Sequence, residues 1–356
     1  MKRIILAGGG HGHINVLKNL IRNPLLDCEI LLITDFKKQY YSGMLAGFVE
    51  GIYTEKDISF DVAKLSKMAN VRYIEEKIIA IDKANQKVIT SKGDYPYNFL
   101  SINLGSLSNI NFPIKSKDVC LVKPIKNVVD AKDRVSEMYR KNPRLKISFI
   151  GAGASGVELA LAFRAAFPEA EISIMTTKNI LENFNKSAKN KLKKLLDTKS
   201  IKIITGKRVN LIKDKKIYTD DDIYDFDFAF ITTGFCGPDI NFDGFMIFNN
   251  NYLAVNDKLF ADKNVLAMGD AASIKEYPTM PKAGVYAIRE APILYQNLLK
   301  LINGDNDFIN YKPQKKYLQI INCGNKRAMS NYGSLSNYGK ISWKIKDKID
   351  RDYMKI

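Results

Sequence analysis

Two glycine clusters carry the clearest chemical signal in the chain. Gly151, Gly153 and Gly156 fill every position of a G-x-G-x-x-G pattern in GAGASGVELALAF, directly after the apolar run KISFI. Near the N-terminus Gly8, Gly10 and Gly12 follow the apolar run from Ile4 to Ala7, but the third position of the pattern holds His13. Glycines at such a turn let backbone N–H groups approach a pyrophosphate, and the helix that follows points the positive end of its dipole at the charge. One imperfect copy says little. A perfect copy flanked by strand, helix and returning strand is a strong signal for dinucleotide binding.

Carboxylates and cations stand where such a ligand could be held. Asp35 follows Thr34 at the end of the second apolar run, placed to accept hydrogen bonds from ribose hydroxyls or simply to form a turn. The equivalent run of the second unit ends in Met175-Thr176-Thr177-Lys178, without an acid, and hydroxyls with a cation tolerate a 2′-phosphate. Gly105, Gly234 and Gly269-Asp270 each end a further apolar run. Glu158 lies in an otherwise apolar helix, and a buried carboxylate is costly unless paired or used. It borders the reacting ring of the ligand, or it is held by the helix N-terminus. Lys282, Ala283 and Gly284 open the helical stretch that follows Pro281, whose free N–H groups would stabilise negative charge on a reduced ring. The two histidines, His11 and His13, share one loop, and no third histidine exists to complete a metal site or a catalytic relay.

The elements that position these residues follow from the pattern. Up to about residue 120, strands alternate with helical stretches: a helix from Ile14 to Ile21, a strand from Glu29 to Ile33, and a Tyr- and Gly-rich loop at 40–47. Strands at 71–81 and 87–90 and one ending at Gly105 complete this part, and a second β-α-β unit runs from 146 to Met175. In the last stretch, Tyr317 to Asn322 reads as a strand and Ser342 to Met354 as a short helix in which Trp343, Ile345, Ile349 and Tyr353 alternate with basic residues. A basic amphipathic helix of this kind docks on its own domain, on a second copy in a homodimer, or on an acidic membrane surface.

At 356 residues and 40.3 kDa the chain is long enough for two domains. The net charge of +17 comes mostly from lysines scattered among Asn and Ile, a solvated basic surface rather than a nucleic-acid site. Cys28, Cys120, Cys236 and Cys323 have no paired redox spacing, which points to a reducing cytoplasm. The first apolar run is too short for a signal peptide.

Taken in order, the loop at Gly8–Gly10, Leu104-Gly105-Ser106, Gly151–Gly156, Thr232–Gly234 and Gly269-Asp270 resemble the two-dinucleotide-binding-domain flavoproteins. That group includes the pyridine nucleotide–disulfide oxidoreductases and the type II NADH dehydrogenases. More narrowly, GGGHGHINVL, YYSGMLAGFVEGIY, MPKAGVYAIRE and WKIKDKIDRDYM are similar to the flavoprotein module fused ahead of selenide, water dikinase. The resemblance implies an α/β fold of two Rossmann-like, three-layer β/β/α domains, the second inserted in the first. A small C-terminal α+β segment would follow, with divisions at 1–120, 121–240, 241–310 and 311–356. It implies FAD on the N-terminal unit and NADH or NADPH on the inserted one. By position Gly8, Gly10, His11 and Gly12 would line the FAD pyrophosphate, Asp35 its adenosine ribose, and Asp270 with Gly105 and Gly269 the rest of its chain. Lys282, Ala283 and Gly284 would lie near the ring, and Gly151, Gly153, Gly156 and Gly234 would hold NAD(P)H. Two departures stand out: the redox cysteine pair is missing, so a disulfide substrate is not expected, and Leu104-Gly105 replaces the usual Thr-Gly.

The expected activity is therefore an FAD-dependent NAD(P)H oxidoreductase that passes hydride to FAD and electrons to an acceptor such as a quinone, with Glu158 and Lys282 at the reacting rings. The expected place is the cytoplasm, peripheral on the inner face of the membrane where the basic helix reaches it. Sulfide or selenide:quinone oxidation is the alternative, requiring Cys120 or Cys323 as nucleophile. A non-catalytic flavin-binding partner in selenium or sulfur metabolism is a third class.

Overall fold

The computed structural model describes residues 1–355. Strand β1 (Lys2–Ala7) becomes wholly buried from Ile4 onward, as a central parallel strand must, and runs straight into the first glycine loop. After α1 (His11–Arg22) the chain returns as β2 (Cys28–Thr34), parallel to β1 with Ala7 opposite Ile33. Helix α1 starts at His11 rather than Ile14, because the turn closes within three glycines. Helices α2 (Leu45–Val49) and α3 (Val62–Met68) and strand β3 (Arg72–Glu75) come next, and β3 lies beside β2 in the same parallel sheet. An antiparallel meander at 78–96 then leads into β4 (Phe99–Ile102), parallel to β1 on its other side.

The chain leaves this unit through Leu107–Ser108, which pairs antiparallel with Phe235–Cys236 on the return path. Between those two strands lies the inserted unit. Its elements are β5 (Val119–Leu121), α4 (Lys126–Lys141), β6 (Lys146–Ile150), α5 (Ala154–Ala166), β7 (Glu171–Thr176), α6 (Lys186–Thr198), β8 (Ile201–Thr205) and β9 (Phe228–Ile231). They form a parallel sheet in the order β5-β9-β6-β7-β8. A meander at 209–225 covers one face through Ile212, Ile217 and Phe226, and the helices cover the other. Ile114–Lys115 already pairs with that meander and β5 with β9, so the strands cross into the inserted unit before residue 121. These strands are two and three residues long, too short to leave a periodic signal.

On return, β10 (Phe260–Asp262) and β11 (Val265–Ala267) complete the first sheet in the order β10-β11-β4-β1-β2-β3, and α7 (Gly284–Asn303) packs along α1. The helix starts at Gly284, two residues later than the stretch read after Pro281, because Ala283 is still extended. The C-terminal segment is an antiparallel sheet of β12 (Gln319–Asn322), β13 (Ala328–Tyr332) and β14 (Leu335–Gly339), followed by α8 (Lys340–Met354). The stretch SNYGSLSNYG that forms β13 and β14 has no apolar alternation, so sequence patterning passes over it. The architecture is the α/β arrangement of two Rossmann-like units, one inserted in the other.

Each sheet is fixed by its own core. In the inserted unit the rings of Phe149 and Phe230 stack at 5.0 Å with 8° between their planes, and Phe163 meets Phe230 at 4.7 Å. All three are fully buried. Truncation of Phe230 to Ala should cost about 3–5 kcal/mol, read as a lower urea midpoint at unchanged m-value.

Candidate active site

The first loop is held by Asn103, at the end of β4. Its Oδ1 accepts the Gly12 N–H at 2.8 Å, its Nδ2 donates to the Met268 carbonyl at 3.1 Å, and its own carbonyl accepts the Gly10 N–H at 3.2 Å. The turn is thereby drawn so close that a Cβ on Gly10 would stand 2.3 Å from Asn103 Oδ1, and one on Gly12 2.2 Å from Met268 Sδ. Helix α1 has no side-chain cap and no acid in its first turn, so its dipole opens onto the loop unopposed. Asp35 is exposed at the tip of β2, and no ion pair or hydrogen bond among the described residues engages it. His13 sits fully buried behind the loop, with Nδ1 2.5 Å from the Gly8 carbonyl and Nε2 2.8 Å from the Ser101 hydroxyl. A neutral ring that donates from Nδ1 and accepts at Nε2 satisfies both, and burial lowers its pKa to about 4.

The second loop repeats the device with a shorter side chain. Thr232, at the end of β9, donates through Oγ1 to the carbonyls of Ile150 and Gly151 at 3.0 and 2.8 Å. A Cβ on Gly156 would stand 2.1 Å from the Gly151 carbonyl oxygen. Gly153 caps α5, which again has neither a side-chain cap nor an acid in its first turn. Gly153 and Gly234 have no atom within 4 Å of where a Cβ would be, so both face open space.

Beside the first loop a charged corner is already assembled. Asp270, just past β11, takes Lys123 Nζ and the Ser106 hydroxyl on Oδ2, both at 3.2 Å. Burial pushes its pKa up, but the Lys123 charge and these hydrogen bonds outweigh it and leave the carboxyl below its ordinary value. Glu290 accepts the Gly269 N–H at 2.7 Å, and Gly269 itself has φ +69°. Lys282 donates to the Ala272 carbonyl and lies 4.8 Å from the centre of the Tyr252 ring. Burial pushes its pKa down against the pull of Glu290 and Asp270. Gly105, with φ +76°, and Gly284, the first residue of α7, again have open space above them.

The C-terminal helix closes the other side, with its polar face inward. Lys346 and Asp350, one turn apart, pair at 2.8 Å and are nearly inaccessible, while Ile341, Ile345 and Ile349 point to solvent. Lys346 also donates to the Gly43 carbonyl, Tyr41 donates to Asp350 at 3.1 Å, and Tyr53 to Asp347 at 2.6 Å. The Tyr353 hydroxyl lies 2.7 Å from His11 Nδ1, and the Tyr41 and Tyr353 rings pack at 4.5 Å. Burial, with the Lys123 charge, lowers the His11 pKa to about 4.

Glu158 belongs to this side rather than to the second glycine loop. It is the fifth residue of α5, past the first turn, and its carboxylate accepts the Asn322 N–H at 2.8 Å. Burial raises its pKa to about 7, with the Lys346 charge pulling down and Asp350 and Glu50 pushing up. The helix end does not stabilise it; the C-terminal segment does.

Sequence patterning alone misses Asn103, Lys123, Lys346, Asp350 and Tyr353 as site residues. Asn103 has a signal, since it is polar at the same strand end as Thr232 in the perfect copy. Lys346 and Asp350 show only as an i, i+4 pair. Cys120 and Cys323 lie buried, and burial pushes both thiols up to about 12. Neither supplies the accessible thiolate that sulfide oxidation requires.

A glycine cradle too tight for any Cβ, a free acid at the end of β2 and an ionised Asp270 fit FAD on the first unit. The second cradle fits a nicotinamide dinucleotide. These features define a flavoprotein oxidoreductase with two dinucleotide sites, using FAD and NAD(P)H. The chain belongs to the family described as pyridine nucleotide-disulphide oxidoreductase, matched over residues 2–291. It is 24% identical to the NADH dehydrogenase-like protein YutJ of Bacillus subtilis, over 92% of this chain and 91% of that one. It is 25% identical to the type II NADH:quinone oxidoreductase of Staphylococcus aureus, over 47% and 44% of the two chains. NDH2 of Plasmodium falciparum, solved with NADH, superposes with a TM-score of 0.83 at 15% identity, covering 99% and 96% of the two chains. The sulfide:quinone oxidoreductase of Aquifex aeolicus gives 0.81 at 20% identity, covering 99% and 90%.

Both histidines have pKa values near 4 against an ordinary value of 6.5. The unfolded chain therefore binds protons that the fold refuses, and stability falls as pH drops from 6.5 towards 4, by about 3 kcal/mol for each histidine. Glu158, raised to about 7, acts in the opposite sense, so the histidine effect is read as a difference: in urea titrations the stability of the wild type relative to His13→Asn should fall by about 3 kcal/mol between pH 6.5 and 4.

Proposed function

We propose that this flavoenzyme hands its electrons to a quinone at a membrane surface, and that the acceptor is reduced on the side of the site that α8 covers. The observation that carries the reading is Glu158: a partly buried carboxyl in an apolar helix, held by the Asn322 N–H, with a pKa raised to about 7 beside the Lys346 charge. A quinone takes up two protons with its two electrons, so the acceptor side needs a group that holds a proton near neutrality. Bound FAD supplies the redox step, accepting hydride from NAD(P)H and releasing electrons to the acceptor.

The chain's own residues do the rest. The Gly151–Gly156 loop and the α5 N-terminus bind the dinucleotide phosphates. Asn103 fixes the first loop, and Asp35 and Asp270 take hydroxyl groups at either end of the FAD. Lys282, a half-buried cation at the entrance to α7, offsets negative charge on that side. Glu158 delivers a proton through the carboxyl held by the Asn322 N–H, and Lys346 stays charged beside it because Glu158 and Asp350 together outweigh its desolvation. Tyr41 and Tyr353 bridge this group to His11.

The outer face of α8 supports membrane contact. Ile341, Ile345 and Ile349 are 69%, 44% and 49% exposed along one stripe, with Lys344 and Lys348 beside them. No helix among the described residues is long and apolar enough to cross a membrane. A stripe of isoleucines bordered by lysines suits the interface plane. The names of the Staphylococcus and Aquifex proteins, both quinone oxidoreductases, support the acceptor class.

Glu158→Gln should leave anaerobic flavin bleaching by NAD(P)H unchanged and slow reduction of a short-chain quinone about 10²-fold or more. In the wild type the quinone step should fall as pH rises through about 7, where Glu158 loses its proton, and the variant should lose that dependence. A pH profile unaltered by the substitution would refute the assignment. Ile345→Asp with Ile349→Asp should abolish co-sedimentation with anionic vesicles while flavin content and bleaching by NAD(P)H stay as in the wild type.

A further inference from the structure

The chain contains its own comparison for the choice between NADH and NADPH. In the first unit Ala7 pairs with Ile33, and Gly8 N–H bonds the Ile33 carbonyl at 2.8 Å. In the second, Ile150 pairs with Met175, and Gly151 N–H bonds the Met175 carbonyl at 2.8 Å. The two sheets are thus in one register. Two residues past Ile33 stands Asp35; two residues past Met175 stands Thr177, followed by Lys178. Where one unit presents a free carboxylate to an adenosine ribose, the other presents a hydroxyl and a cation.

The surroundings of Thr177 extend the difference. Thr176 pairs with Thr205 in the neighbouring strand, and Lys207 N–H reaches the Thr176 carbonyl, so Gly206-Lys207-Arg208 runs beside Thr177-Lys178. The two acids nearby, Asp221 and Asp222, are both engaged by Lys207 at 3.0 and 2.7 Å. Arg208 is exposed and makes no ion pair or hydrogen bond among the described residues. Lys178 is also exposed, and its nearest carboxylate, Glu182, is 3.8 Å away and itself half in solvent. An acid at the strand tip accepts from a 2′-hydroxyl and repels a 2′-phosphate, whereas a cation does the reverse.

We propose that the donor is NADPH, and that Thr177, Lys178 and Arg208 form the seat of its 2′-phosphate. This rests on the reading that the Gly151–Gly156 loop takes a nicotinamide dinucleotide. The phosphate, a dianion, finds two cations free of tight partners, while NADH would leave both unused and would find no carboxylate for its 2′-hydroxyl.

Calorimetric titration of the holoenzyme with 2′,5′-ADP and with 5′-AMP tests the seat without any redox step. The 2′,5′-ADP should bind at least about tenfold more tightly, as expected for charge-assisted hydrogen bonds to a phosphate. Lys178→Glu with Arg208→Glu should erase that preference, weakening 2′,5′-ADP far more than 5′-AMP. Anaerobic titration should then show NADPH bleaching the flavin at a lower concentration than NADH, with the order reversed in the double variant. Equal affinity for the two nucleotides, or a preference that survives the double variant, overturns the proposal. A 2′,5′-ADP preference in a protein whose flavin neither nicotinamide bleaches upholds the phosphate seat and refutes the redox reading instead.

Discussion

Everything in the site depends on one constraint, that backbone N–H groups must meet a phosphate with no side chain between them. The fold meets it twice in the same way. A polar residue at the C-terminal end of a neighbouring strand, Asn103 in one sheet and Thr232 in the other, reaches under the glycine turn and bonds its backbone. Because the turn is pulled against that strand, Gly8, Gly10 and Gly12 in one loop and Gly151 and Gly156 in the other have no room for a Cβ. The first sheet needs the longer amide, since Asn103 must also span to the Met268 carbonyl on β11. That third attachment ties Gly269 and Asp270 to the loop, so the acid proposed for the ligand's hydroxyl-bearing chain and the cradle proposed for its phosphates share one anchor.

The imperfect motif gains a physical meaning from the same geometry. A third glycine would leave room behind the loop for the helix to approach the strand. His13 fills that room and replaces close packing with two hydrogen bonds, to the Gly8 carbonyl and to Ser101. The loop is then pinned from behind by an imidazole and from below by an amide. The ring must stay neutral, because nothing in contact with it could compensate a buried charge.

The sequence made the two cradles and the returning strands legible because glycine spacing and apolar runs are local properties. Asp270 was legible for the same reason, as an acid after a glycine at a strand end. Glu158 was visible as an anomaly, a carboxylate in an apolar helix, but its partners were not. Lys346 lies 188 positions further on in a segment whose strands carry no periodic signal. The motif shows Leu104-Gly105 in place of Thr-Gly, and only the folded loop reveals the neighbouring Asn103 as the anchor. Contacts across such separations follow from how units dock, which no window of sequence contains.

The orientation of α8 remains to be accounted for, and its isoleucines alone favour the opposite. Burying an isoleucine contributes about 1.5–3 kcal/mol, and three of them are left in solvent. The groups buried instead are Lys346 and Asp350, and a buried ion pair roughly breaks even against apolar residues of similar volume. Lys18 steadies the helix end by donating to the carbonyls of Tyr353 and Lys355 at 3.0 and 2.6 Å, but it would do so whichever face pointed inward. Tyr353 and Met354, packed on both cores, favour the orientation seen, while the buried pair adds little to it. What the arrangement achieves is chemical on both sides at once: inward, the burial that raises the Glu158 pKa, with Lys346 pulling it down and Asp350 pushing it up; outward, an apolar stripe with cations along it. One helix thus sets the proton affinity of the buried site and the character of the surface above it, and turning it over would lose both.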